Sequence, residues 1–190
     1  FVIINIFVFS AYFQKFVIGD SVQGQVIWGY TQAAAGVLIA LSSPFLGAIA
    51  DAYGPRKPGL LLFSAIALPA MVTLWFVTPG NMWLGIAAII VAAVAMEIAL
   101  VYHNAMLTSV ASDRNVGFMS GLAYSLDYIG SVSLFIVWLG LPALGVLAWF
   151  EGEFVHERLS GPLSAIWLVV FSIPFVVFTH ARDHAGLSLF

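Results

Sequence analysis

The feature that most constrains the fold is a set of long runs that are almost free of charge. Between Met82 and Val110 the only charged side chain is that of Glu97. A helix needs roughly 20 apolar residues to cross a bilayer, and lipid offers the backbone no hydrogen bonds, so helices are the expected spanning form. Charged residues make up 8% of the chain, against about 25% in soluble domains. The sequence therefore predicts an all-α membrane protein.

Six runs meet this length requirement. We predict one six-helix transmembrane bundle over residues 1–190, with spans at about 1–18, 25–50, 58–77, 82–110, 115–139 and 162–179. The first run begins at Phe1 without an initiator Met or a charged leader, which favours a truncated start over a signal peptide. The absence of cysteine excludes disulfides and thiolate metal sites. The net charge of −3 gives no indication of a nucleic-acid partner.

The distribution of Lys and Arg predicts the orientation of the bundle. Cytoplasmic loops carry an excess of these residues. One side of the predicted bundle holds four of them and the other holds two: Arg56, Lys57, Arg114 and Arg182 against Lys15 and Arg158. We therefore expect the first group, and both ends of the chain, to be cytoplasmic. The pattern does not identify the membrane.

A charged turn joins the second and third predicted spans. It contains Gly47, Asp51, Gly54, Arg56 and Lys57. In one interpretation the cations only fix topology and the glycines only permit a tight turn. In the other, the carboxylate of Asp51 docks on a neighbouring helix N-terminus or cation and latches one conformation of a rocking transporter. A small residue at Gly47 suits close helix approach in both cases.

The stretch Ser43-Pro-Phe-Leu-Gly-Ala-Ile-Ala-Asp51 resembles the vacuole-effluxer-like branch of the major facilitator superfamily. Residues 101–107, 120–124 and 165–175 resemble the same branch in the same order. The resemblance implies the N-terminal half of a twelve-helix transporter, with the C-terminal half absent. Autophagy-related members of that branch export amino acids, so the resemblance also implies amino-acid transport and cytoplasmic-gate roles for Asp51, Arg56 and Lys57.

Two carboxylates lie inside predicted spans, where an ionised group must be neutral, paired or in a wet cavity. Glu97 and Asn104 are seven residues apart and share a helix face. Tyr124 and Asp127 belong to a polar stripe with two serines, Ser120 and Ser131. These side chains either line a solute or proton pathway or form hydrogen bonds with neighbouring helices and proteins. Gly117 and Gly121 predict a separate packing contact.

The loop before the last span contains Glu151, Glu153, His156 and Glu157. We interpret it as a solvated loop rather than a cation site, because nothing in the sequence fixes a ligand geometry. No catalytic residue, metal ligand or cofactor is predicted. The motifs His-Glu-x-x-His, Gly-x-Gly-Asp and Gly-x-Ser-x-Gly with a plausible base are absent from the sequence.

The leading hypothesis is a secondary active transporter that moves a small solute by alternating access. Its expected partners are the lipid bilayer, a small-molecule solute, and either the missing C-terminal half or partner membrane subunits. The alternative is a non-transporting structural or assembly subunit of a larger membrane complex. No nucleic acid and no enzymatic activity are expected.

Overall fold

Six helices make up the fold in a computed structural model, which describes residues 2–52, 56–110 and 115–178. Helix α1 is a composite of four short segments, Val2–Ile4, Asn5–Phe9, Ser10–Tyr12 and Phe13–Val17. The others are α2 (Ser21–Ala52), α3 (Arg56–Thr73), α4 (Met82–Val110), α5 (Val116–Gly140) and α6 (Ser160–Phe178). A 3₁₀ turn extends α3 over Leu74–Phe76. Two short elements precede α6: a second 3₁₀ turn at Val146–Trp149 and a short helix at Val155–Arg158.

Four of these helices are long and apolar enough to cross a membrane, judged by length and composition. The qualifying stretches lie in α2 to α5: Ser21–Ile49, Lys57–Phe76, Met82–Met106 and Val116–Gly140. The chain is therefore a multi-pass membrane protein. Within the described residues α1 is shorter than the roughly 20 residues that a span needs, and spans one and six remain predictions.

Helix α1 departs from regular α geometry. Asn5–Phe9 and Phe13–Val17 are π-helical turns, separated by a short α-helical segment. A π turn inserts an extra residue and so rotates the side chains that follow it. Phe9, Tyr12 and Phe13 are all buried, and they pack with Leu74 and Ile89 of the third and fourth helices.

Small side chains let α3, α4 and α6 approach closely. Ala67 and Ala70 of α3, Ala92 and Ala95 of α4, and Ala165 of α6 form one buried cluster around Met71. Lipid gives apolar helices no hydrophobic reason to associate, so dispersion between closely spaced backbones stabilises such interfaces. These three helices form the packed centre of the bundle.

Helices α2 and α5 lie at the edges and are lightly covered. Among the residues of α2 whose exposure is described, only Gly24, Thr31 and Ala35 are buried. In α5 only Leu134 is buried. Both helices therefore present most of their circumference to whatever surrounds the bundle.

Residues 18–20, 77–81 and 141–158 meet at one end of the bundle, called here the clasp end. The His156 ring lies flat on the Trp138 indole, with ring centres 3.9 Å apart. Trp138 Nε1 donates a hydrogen bond to the His156 carbonyl oxygen (2.9 Å), and His156 Nε2 lies 2.8 Å from the Trp138 carbonyl oxygen. This pair of contacts, the clasp, joins the end of α5 to the short helix that precedes α6.

The crossing of α1 and α2 depends on Gly24. A Cβ atom at this position would lie 2.6 Å from both the Cα atom and the carbonyl oxygen of Gln14. Backbone atoms cannot rotate away, so Gly24→Ala must separate the two helices. We expect it to lower the free energy of unfolding by about 1–3 kcal/mol, measured by thermal or denaturant unfolding of the purified protein. Gly29→Ala is the matched control, because nothing lies within 4 Å of a Cβ there; equal losses in both variants would contradict this account.

Candidate functional site

The charged turn of the sequence connects the end of α2 to the start of α3. This end of the bundle, opposite the clasp end, is called here the motif end. Asp51 is the penultimate residue of α2 and Arg56 is the first of α3, whereas Gly54 lies outside the described residues. Gly47 is half-buried, and a Cβ there would lie 3.8 Å from Val101 Cγ1, an ordinary contact. Alanine would therefore fit at this position, and larger side chains would press on α4. Lys57 is half-buried, and the latch role of Asp51 remains a prediction.

Helix α4 has one buried side and one polar, uncovered side. Ala88, Ala92, Ala95 and Ala99 recur every three or four residues and face the centre of the bundle. Glu97 and Asn104 lie on the opposite side, and both are exposed. The sequence-predicted pair thus shares a face, and the bundle leaves that face open.

Helix α5 is uncovered on two opposite sides that differ in chemistry. One side carries Tyr124 and Asp127, both exposed, together with two half-buried serines, Ser120 and Ser131. The other side is apolar and exposed along its length, through Leu122, Ile129 and Ile136. Within the described residues, nothing lies within 4 Å of the place that a Cβ atom would take at Gly117 or Gly121, so the packing contact predicted for them does not form there.

The two carboxylates lie at similar depth. Glu97 precedes the end of α4 at Val110 by about 20 Å, and Asp127 follows the start of α5 at Val116 by about 17 Å, at 1.5 Å per residue. Both positions are midway along their helices. Within the described residues, however, no hydrogen bond or ion pair involves any of the four predicted pathway side chains: Glu97, Asn104, Tyr124 and Asp127.

Helix α1 contains a buried polar pair, Asn5 and Tyr12, for which the sequence carries only a weak signal. Asn5 is 4% exposed, and its Oδ1 has no hydrogen-bond partner within the described residues. Tyr12, seven residues later, donates a 2.9 Å hydrogen bond from its hydroxyl to the Val77 carbonyl oxygen. The available signal was the seven-residue spacing of two polar groups in an apolar run.

The loop before α6 makes more contacts within the protein than we expected of a solvated loop. Glu151 and Glu153 are exposed, as expected. His156 instead forms the clasp, and Arg158 Nε donates a 2.6 Å hydrogen bond to the Trp75 carbonyl oxygen. In the described part of the chain, no three His, Cys, Asp or Glu side chains are grouped so as to hold a metal ion.

Comparison with known proteins shows which proteins this chain is similar to. Residues 15–116 match the profile of a family described as vacuole effluxer Atg22 like. The chain is also 27% identical over 170 residues to an uncharacterized MFS-type transporter, YxiO, of Bacillus subtilis (strain 168). That match covers 86% of the chain but only 38% of the relative. No solved structure matches the chain.

The family match runs from within α1, through the motif turn and the polar face of α4, to the start of α5. It therefore includes Asp51, Glu97 and Asn104 and covers more than half of the 190 residues. MFS transporters are not enzymes, in agreement with the absence of a catalytic motif from the sequence. The chain belongs to the vacuole effluxer Atg22-like family and is similar to an MFS-type transporter.

Proposed function

We propose that this chain forms part of a secondary transporter that moves a small solute, of the amino-acid class, by alternating access. The observation that carries the proposal is the pair of unlike exposed sides on α5. Its apolar side, with Ile129, suits lipid, whereas its polar side, with Asp127, does not. A helix with both sides uncovered in this bundle fits a position between lipid and a central aqueous pathway.

The energetics of membrane burial support this position. A charged side chain at the centre of a membrane helix costs about 2.5–3.5 kcal/mol when it faces lipid. Glu97 and Asp127 lie midway along α4 and α5, and neither has an ion-pair partner within the described residues. Water or a polar solute in the pathway would remove this cost, and a solute ammonium group would complement both carboxylates.

The motif end provides the second part of the proposal. Asp51, Arg56 and Lys57 lie at the junction of α2 with α3. Helix α2 packs mainly on α4, although few of its own side chains are buried. We assign these three charges to a gate that closes one end of the pathway when the helices rock.

Water access to the two sides of α5 tests the pathway directly. The 190 residues contain no cysteine, so Tyr124→Cys and Ile129→Cys can be introduced into a full-length protein whose other cysteines, if present, are replaced. The two side chains have similar exposure in the structure, 52% and 61%. We expect a membrane-impermeant methanethiosulfonate to modify the cysteine at 124 at least tenfold faster, because thiolate forms only where water reaches. Amino acids should slow that reaction.

A different result would favour the other hypothesis. If a partner protein covers the polar side permanently, the cysteine at 124 should be as unreactive as that at 129, and no solute should alter its rate. That outcome would overturn the pathway and favour a structural subunit. The apolar control at 129 distinguishes lipid contact from general inaccessibility of the helix.

A further inference from the structure

An apolar groove runs along the outer surface between α3 and α6. Its volume is about 470 Å³, and its walls carry almost no polar surface. The lining residues are Leu68 and Val72 of α3 and Pro162, Ala165, Ile166, Val169 and Val170 of α6. The groove lies between a candidate span and the last predicted span, at the depth that the hydrocarbon of a bilayer would occupy.

The clasp end of this groove is marked by a guanidinium group. Trp75 follows Val72 by one helical turn, and Arg158 precedes Pro162 by one turn, so both continue the walls of the groove. The Arg158 guanidinium lies over the Trp75 ring, 4.8 Å from its centre, and its Nε donates to the Trp75 carbonyl oxygen. This hydrogen bond and the ring contact thus hold a cation at the clasp end of the apolar groove.

This guanidinium retains capacity for a ligand. Arg158 is half-buried, and within the described residues no carboxylate lies within ion-pair distance of it. Its Nη1 donates a long hydrogen bond of 3.4 Å to the Glu153 carbonyl oxygen, and no described acceptor receives one from Nη2. Guanidinium forks favour phosphate oxygens. Trp83 and Trp149, 72% and 82% exposed at the same end, suit the headgroup depth of a bilayer.

We infer that the groove binds a zwitterionic phospholipid, with an acyl chain between α3 and α6 and its phosphate at Arg158. The local charges select the headgroup. The segment that contains Arg158, residues 151–158, also holds Glu151, Glu153 and Glu157, so its net charge is negative. An ammonium group attached to the phosphate would complement these carboxylates, whereas a headgroup with net negative charge would be repelled.

The test is lipid retention by the full-length protein. The protein is reconstituted in vesicles with equal amounts of phosphatidylethanolamine, phosphatidylcholine and phosphatidylglycerol, extracted in mild detergent, and analysed by native mass spectrometry. We expect both zwitterionic lipids to be retained over phosphatidylglycerol. Ile166→Trp fills the groove and should lower retention about tenfold, equal to about 1.4 kcal/mol. Ile136→Trp, the same change at an equally exposed position on α5, should leave it unchanged.

A second variant separates the headgroup from the acyl chain. Arg158→Gln removes the phosphate contact but leaves the groove and the carboxylates, so it should lower the retention of zwitterionic lipids while phosphatidylglycerol stays disfavoured. Equal retention by the Ile166→Trp and Ile136→Trp variants would overturn the groove assignment. Preference for phosphatidylglycerol in the unaltered protein would overturn the headgroup assignment. Neither readout depends on solute transport, so failure here leaves the proposed transport function standing.

Discussion

Asp127→Asn and Glu97→Gln, each in the full-length protein, are expected to lower amino-acid transport by roughly 10- to 100-fold. Each variant keeps the shape of the side chain and removes the charge that would complement a solute ammonium or carry a proton. A hydrogen bond to a charged group contributes about 1.5–3 kcal/mol, which corresponds to this range of affinity. The measurement is the initial rate of uptake of radiolabelled amino acids into proteoliposomes.

The control for this experiment is Glu151→Gln. Glu151 is an exposed carboxylate in the loop at the clasp end, away from the polar sides of α4 and α5. The Glu151→Gln substitution tests whether the loss of any negative charge reduces transport. Unaltered uptake in both the Asp127→Asn and the Glu97→Gln variants would remove these residues from the pathway. Reduced uptake together with reduced amounts of folded protein would instead assign them to packing.

Gly161→Ala is expected to produce the largest loss of stability. A Cβ at Gly161 would overlap the Met71 carbonyl oxygen and approach Leu74 Cβ to 2.7 Å. The oxygen belongs to the backbone of α3, so the clash can be relieved only by moving α6 away from the packed centre of the bundle. Overpacking of this kind costs about 1–3 kcal/mol or more. The measurement is the thermal unfolding midpoint of the purified protein.

Gly121→Ala provides the comparison for Gly161→Ala. Gly121 is also helical, but nothing lies within 4 Å of a Cβ there, and alanine favours helix over glycine by about 1 kcal/mol. We therefore expect no loss, or a small gain, in its unfolding midpoint. Equal destabilisation by both substitutions would show that α3 and α6 are not held at the distance seen in the structure.

The sequence predicted features that depend on local periodicity. The length of α4 and the shared face of Glu97 and Asn104 follow from apolar runs and from helical spacing. The contacts at the clasp end could not be predicted this way. Arg158 and Trp75 are 83 residues apart in the chain, so no local pattern reports their contact. The π turns of α1 were not predicted either, because the pattern of apolar and polar residues along it does not distinguish a π turn from regular α-helix.

The clasp also determines how α5 can move. Trp138 is held at one end of this helix, whereas Gly117, Phe118 and Met119 in its first turn are exposed in the described part of the chain. The helix between Val116 and Trp138 is a rod about 33 Å long with one anchored end. Any tilt about the anchor displaces Val116 furthest and Asp127 about half as far, while the loop that connects α5 to α6 stays in place. Lever geometry therefore couples a wide movement at the motif end to a smaller one at the level of the carboxylates.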